Sequence, residues 1–252
     1  MPSSPTAAAL SALGLPEQIR AALFDMDGVL TQTSTLHRHA WKSTFDPILA
    51  AAGQSEFTDV EYAAHVDGRR RYDGVRTFLA SRGLHPPEGE PTDSPEAATI
   101  CGIGNRKNLL ITDAIHTEGV QTYPGTVAYL KACRAAGLAT AVVTASANGG
   151  AVLAAAGLDE LLDARIDGLL AARENLPGKP APDTYLAGAQ ALGVSAPRAV
   201  VIEDATSGVR AGRTGGFGYV IGVDRLDQAQ ALAEAGADVV VDDLAELLEV
   251  HP

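Results

Sequence analysis

From residue 139 onward the chain alternates short apolar runs with stretches of helical character, and this alternation restricts its fold more than any other feature. Residues 139–143 read as a strand and 150–156 as the helix after it, stopped by Gly157. Residues 182–192 read as a helix, with Pro182 near its start and Gly193 beyond its end. Residues 199–202, 219–223 and 239–241 are further strands, and 207–214 is a short helix. Parallel strands need crossover connections, so this order favours a parallel sheet covered on both faces. The apolar run Ala21-Ala22-Leu23-Phe24 is assigned to the same sheet.

A long segment breaks the alternation. Leu36, Ala40, Trp41 and Phe45 form one helical stripe, and Val75, Phe78 and Leu79 another. Residues 83–95 are rich in Pro, Gly and acid and are expected to be an exposed loop. The expected organisation is an α/β fold with a three-layer, parallel-sheet (Rossmann-like) core, residues 16–30 and 120–252. A helical cap, 31–119, is inserted in it, and residues 1–15 form a flexible N-terminal arm.

Composition limits what the chain does. Apolar residues make up 46%, enough for a sizeable interior, but aromatics are only 5%, so Ala, Val and Leu must fill it. The formal charge of −12 argues against nucleic-acid partners and anionic membranes. An anionic substrate then needs a local positive site. No charge falls between residues 135 and 158, a length that would span a bilayer. Thr140, Thr144, Ser146, Asn148 and two glycines divide that stretch, so it reads as strand, loop and helix with no membrane role. Cys101 and Cys133 lack a paired spacing and are expected to be reduced thiols in a cytoplasmic protein. The first 15 residues carry no basic leader and do not read as a secretory signal.

Open α/β sheets bind ligands beyond the carboxyl ends of their strands. Here those positions hold Asp25 and Asp27, Thr144, the loop with Lys179, and Glu203 with Asp204. Each has an ordinary explanation by itself: solvated acids in a turn, a strand-end hydroxyl, a surface lysine, a helix N-cap. As a set they suit phosphoryl chemistry. Carboxylates at the ends of buried strands are costly unless paired or bound to a cation. Acids hold a divalent ion through oxygen, while a hydroxyl and an ammonium bind phosphate oxygens. One carboxylate can act as nucleophile and its neighbour as acid and base.

Phe24-Asp25-Met26-Asp27-Gly28-Val29-Leu30, Thr144-Ala145-Ser146, Gly178-Lys179-Pro180-Ala181-Pro182-Asp183 and Glu203-Asp204-Ala205-x-Ser207-Gly208-Val209 resemble the four motifs of the haloacid dehalogenase superfamily. Within it the chain is most similar to the β-phosphoglucomutase group, over residues 20–243. The resemblance implies that Asp25 forms an aspartyl-phosphate and that Asp27 is the acid and base. It implies that Thr144 and Lys179 bind the transferring phosphate. Mg²⁺ would be held by Asp25, the main-chain carbonyl of Asp27 and Asp204, with Glu203 beside them. Thr33, His37, Arg71, Ala145, Ser146 and Asn148 are assigned to substrate binding, His37 matching a histidine that aligns the acid/base aspartate in the mutases. The implied protein is a monomer acting on a small phosphorylated sugar. It would isomerise β-glucose 1-phosphate or, alternatively, hydrolyse a sugar phosphate.

Two positions depart from the mutase pattern. Asp67 and Ala147 stand where lysines are usual, which removes positive charge from the second phosphate site. Arg69, Arg70 and Lys107 are candidates to replace it. An extra segment covers residues 88–108. Its run Gly102-x-Gly104-Asn105-Arg106-Lys107-Asn108 reads either as a second anion loop or as a turn before a helix.

Overall fold

The structure, a computed structural model, describes residues 5–249. The chain divides into two compact units, one ending at Gln32 and resuming at Gln121, the other running from Thr33 to Val120.

The first unit is built on six strands: β1 (Ala21–Phe24), β2 (Ala139–Val143), β3 (Ala164–Ile166), β4 (Ala199–Glu203), β5 (Tyr219–Val223) and β6 (Val239–Val241). They lie in the order β3-β2-β1-β4-β5-β6, and every pairing is parallel. Phe24 of β1 sits opposite Val142 of β2 on one side and Ile202 of β4 on the other. All four β1 side chains are buried, as expected of a strand covered on both faces. Around the sheet run α1 (Ala7–Ser11), α6 (Pro124–Ala135), α7 (Gly149–Ala156), α8 (Gly168–Arg173), α9 (Asp183–Ala191), α10 (Thr206–Thr214), α11 (Ala229–Ala235) and α12 (Glu246–Glu249). Alternating β1 residues point to opposite faces. Leu23 packs with Val143, Ile166 and the α9 residues Tyr185 and Ala189, while Phe24 meets Tyr129 of α6 edge-on at 6.5 Å. The strand order reverses beside β1, which places a crevice at its carboxyl end.

The second unit contains α2 (Thr33–Ala51), α3 (Asp59–His65), α4 (Arg71–Ser81) and α5 (Ile100–Glu118). Its interior is a ring cluster. Trp41 stacks on Phe45 at 5.0 Å, Phe45 lies 4.4 Å from Phe78, and Phe57 lies 4.7 Å from Phe78. Thr58 and Glu61 cap α3 reciprocally.

Three sequence expectations need correction. The arm is not loose throughout: α1 forms within it, Leu10, Leu13 and Leu15 are buried, and the Tyr129 hydroxyl donates to the Leu13 carbonyl at 2.9 Å. Three leucines in an Ala-rich stretch supply enough apolar surface to dock it; the first four residues lie outside the described range. The run 102–108 is neither an anion loop nor a turn. It lies inside α5, which Thr99 starts by accepting from the Gly102 N–H at 2.9 Å. Strand β3 has no counterpart in the sequence reading, because three residues with exposed Arg165 in the middle carry too little pattern. Both cysteines are buried and unbonded. Among the described residues no helix is long and apolar enough to cross a membrane.

Candidate active site

Three strand ends and one loop build the centre of the site. Asp25 follows β1, its N–H donating to the Ile202 carbonyl at 2.9 Å, so the β1–β4 ladder fixes its backbone. Glu203 ends β4 and Asp204 follows it. The oxygens of Asp25, Glu203 and Asp204 lie within 4.8 Å of one another, and all three side chains are buried. Lys179 reaches into this cluster. Its ammonium donates to Asp25 Oδ1 at 2.5 Å, pairs with Glu203 Oε1 at 2.5 Å and donates to the Val143 carbonyl at 3.2 Å.

Three buried carboxylates face one ammonium, so negative charge is in excess. Burial drives the Asp25 carboxyl well above its usual range, Lys179 opposes that shift, and Glu203 and Asp27 add to it. Burial by itself would lower the Lys179 ammonium, but Asp25 and Glu203 more than offset it and hold the lysine charged. A donor set made only of carboxylate oxygens around a buried negative excess suits a hard divalent cation. Glu203 is heavily engaged: Oε1 accepts from the Tyr185 hydroxyl at 3.0 Å and Oε2 from the Ala205 N–H at 3.0 Å. It therefore holds Lys179 as much as it offers a cation ligand.

Tyr185 carried no signal in the sequence reading. Its ring lies 4.9 Å from the Lys179 ammonium while its hydroxyl meets Glu203. Burial and the Glu203 charge push its phenol well up.

The acid/base candidate sits in a tight turn. The Gly28 N–H donates to the Thr31 carbonyl at 2.8 Å, and Thr31 donates through N–H and hydroxyl to the Met26 carbonyl. Gly28 has φ +92°, and a Cβ there would strike the Asp204 carboxylate, so glycine lets the Asp27 turn lie directly on the acidic cluster. Thr144 at the end of β2 donates its hydroxyl to Asp27 Oδ2 at 3.4 Å and accepts from the Ser146 N–H at 3.0 Å. Ser146 in turn accepts from the Asn148 N–H at 3.2 Å. Ala145, Ser146 and Asn148 thus form the half-buried loop leading into α7.

The helical unit holds the remaining predicted residues. Thr33 is buried at the start of α2. His37 on α2 meets Lys107 on α5, Nζ to Nδ1 at 2.9 Å. Lys107 is buried and lies 5.0 Å from the Trp41 ring. Arg71 begins α4, its Nη2 donating to the Tyr72 hydroxyl at 3.1 Å; that hydroxyl donates to Asn105 Oδ1 at 2.9 Å. Asp67, one of the two departures, is buried.

The haloacid dehalogenase-like hydrolase family matches residues 19–216. The chain belongs to the haloacid dehalogenase superfamily and is an enzyme of that class. Its particular likeness is to the β-phosphoglucomutase-like group. It is 48% identical over 246 residues to a β-phosphoglucomutase of Mycobacterium bovis, covering 94% of each chain. It is 27% identical to hexitol phosphatase A of Escherichia coli, over 89% of this chain and 91% of that one. The crystal structure of β-phosphoglucomutase from Clostridium difficile has the same fold, with a TM-score of 0.73 at 23% identity over 91% of this chain and 93% of that one.

Proposed function

We propose that the protein is a Mg²⁺-dependent β-phosphoglucomutase converting β-glucose 1-phosphate to glucose 6-phosphate. The observation that carries this reading is the 48% identity to a protein of that name along nearly the whole of both chains. The buried cluster of Asp25, Lys179, Glu203 and Asp204 supports the chemistry.

Asp25, Asp204 and the main-chain carbonyl of Asp27 would hold the cation, with Glu203 at its side. When bound, Mg²⁺ supplies charge neutralisation at the phosphoryl oxygens. In the proposed cycle the Asp25 aspartyl-phosphate gives its phosphoryl group to the sugar 6-hydroxyl, and Asp27 takes the hydroxyl proton. The bisphosphate turns round. The Asp25 carboxylate then attacks the phosphorus at O1, the P–O1 bond breaks, and Asp27 returns its proton to O1. Lys179, held charged by its carboxylate neighbours, neutralises the phosphoryl oxygens during both transfers. Thr144 orients Asp27 and binds phosphate. The substrate-binding roles of Thr33, His37, Arg71, Ala145, Ser146 and Asn148 belong to the same reading and rest on the motif resemblance.

A phosphorus NMR time course with β-glucose 1-phosphate, Mg²⁺ and a trace of glucose 1,6-bisphosphate tests it. Glucose 6-phosphate should accumulate without inorganic phosphate, and a chelator should stop the reaction. A sugar-phosphate phosphatase is the second reading, favoured by Asp67 and Ala147 in place of lysines. Inorganic phosphate with no isomer would establish it.

A further inference from the structure

We propose that the loop between β5 and α11, acting through Arg225, is a positioning element for the Asp27 turn. None of the four sequence motifs includes this loop. The Arg225 guanidinium donates from Nε to the Gly28 carbonyl at 2.9 Å and from Nη1 to the Asp242 carbonyl at 2.7 Å. Its Cζ lies over the Tyr123 ring, 3.6 Å from the centroid. One planar cation therefore ties together the peptide after Gly28, the residue before α6 and the segment after β6. Its third nitrogen, Nη2, is buried with no hydrogen-bond partner among the described residues. Packing alone gives no reason to place such a group here, because an unanswered buried donor is unfavourable.

The loop is rigid enough to transmit position. Asp224 accepts from the backbone N–H groups of Leu226 and Gln228 on Oδ1, at 3.1 and 2.9 Å, and of Ala229 on Oδ2 at 2.9 Å. Gln228, four residues along, donates Nε2 to the Asp204 carbonyl at 2.9 Å. The same loop thus grips the backbone on both sides of the close approach between Gly28 and Asp204. A carboxyl acting as general acid must be held within hydrogen-bond reach of the leaving oxygen. The Gly28 carbonyl belongs to the peptide one residue beyond Asp27, so Arg225 sets where that carboxyl stands.

This inference rests on the reading of Asp27 as acid and base, and the test separates the two. Single-turnover phosphorylation of Asp25 is measured with acetyl phosphate, whose leaving group needs no proton, and with phenyl phosphate, whose leaving group does. Arg225→Met should slow the phenyl phosphate reaction about tenfold and the acetyl phosphate reaction by less than about twofold, with Asp27→Ala giving the same selectivity at about a hundredfold. Arg225→Lys, which keeps the cation but not the planar fork, should fall between wild type and Arg225→Met. It serves in place of Arg225→Met if that variant fails to melt cooperatively. Selectivity in Asp27→Ala but not in the arginine variants overturns the inference and leaves the acid/base reading standing. No selectivity in Asp27→Ala overturns both.

Discussion

In the sheet unit the interior is made mostly of Ala, Val, Leu and Ile on parallel strands, with the buried rings of Phe24, Tyr129, Tyr185 and Phe217 set singly or in edge-on pairs among them. In the helical unit Trp41, Phe45, Phe57 and Phe78 pack ring against ring. Charge follows the opposite pattern. The sheet unit buries Asp25, Lys179, Glu203 and Asp204 as one cluster, while the helical unit buries Asp67 and Lys107 and sets pairs such as Arg76 with Glu88 near its surface. The hydrogen-bond ladder holds neighbouring parallel strands at a short, fixed spacing, so polar groups at their carboxyl ends converge. Rings fill the volume between helices that have no sheet to organise them. Ring type divides with the units: three of the five phenylalanines and the single tryptophan lie in the helical cluster, while four of the six tyrosines lie in the sheet unit.

That contrast can be broken by substitution. The largest effect is expected in the sheet unit. Lys179→Met leaves buried carboxylates facing one another, so turnover should fall by about a thousandfold or more, and denaturant melts should show a loss of about 3–5 kcal/mol. Next, Phe45→Ala opens a cavity in the ring cluster and should cost about 3–5 kcal/mol, measured by urea titration of the intrinsic Trp41 fluorescence. The β4 change Val201→Ala removes two methyl groups and should cost about 2 kcal/mol, because an aliphatic interior spreads its packing over many small side chains.

The smallest effect concerns surface charge. The Arg82 guanidinium bonds Glu61 at 2.5 Å and, with Thr58 also donating, lowers its carboxyl from 4.5 to about 2 despite partial burial. A depressed carboxyl stabilises the fold above its unfolded value and loses that contribution as pH falls. Glu61 should therefore support the helical unit fully above about pH 4.5 and progressively less toward pH 2. Arg82→Met should remove that part of the acid sensitivity, at a cost below about 1 kcal/mol at neutral pH. Thermal melts across that window check it.

The core strands other than β3 were legible because apolar runs ending in an acid or, for β2, in Thr144 leave few alternatives. Asp25, Asp27, Glu203 and Asp204 were singled out because strand-end charges need a reason to exist, and Lys179 because its loop completes the set. Tyr185, Arg225 and Gln228 were not. Each acts on a residue distant in sequence, through a ring face or a backbone carbonyl, and no local spacing records such a contact. The start of α5 was hidden by Gly102 and Gly104, whose low helix propensity outweighed the Thr99 cap. The docking of Leu10, Leu13 and Leu15 was hidden because three leucines at those spacings match neither helical nor strand periodicity over so short a stretch.

The central claim is that Asp25 becomes esterified by phosphorus beside a buried lysine and a cation. Incubating the protein with acetyl phosphate and Mg²⁺, quenching in acid and mapping the modified peptide by mass spectrometry addresses it directly. A phosphoryl group on Asp25, absent in Asp25→Asn and absent with chelator, is the predicted result. Phosphate on another residue, or undiminished turnover by Asp25→Asn, would contradict it.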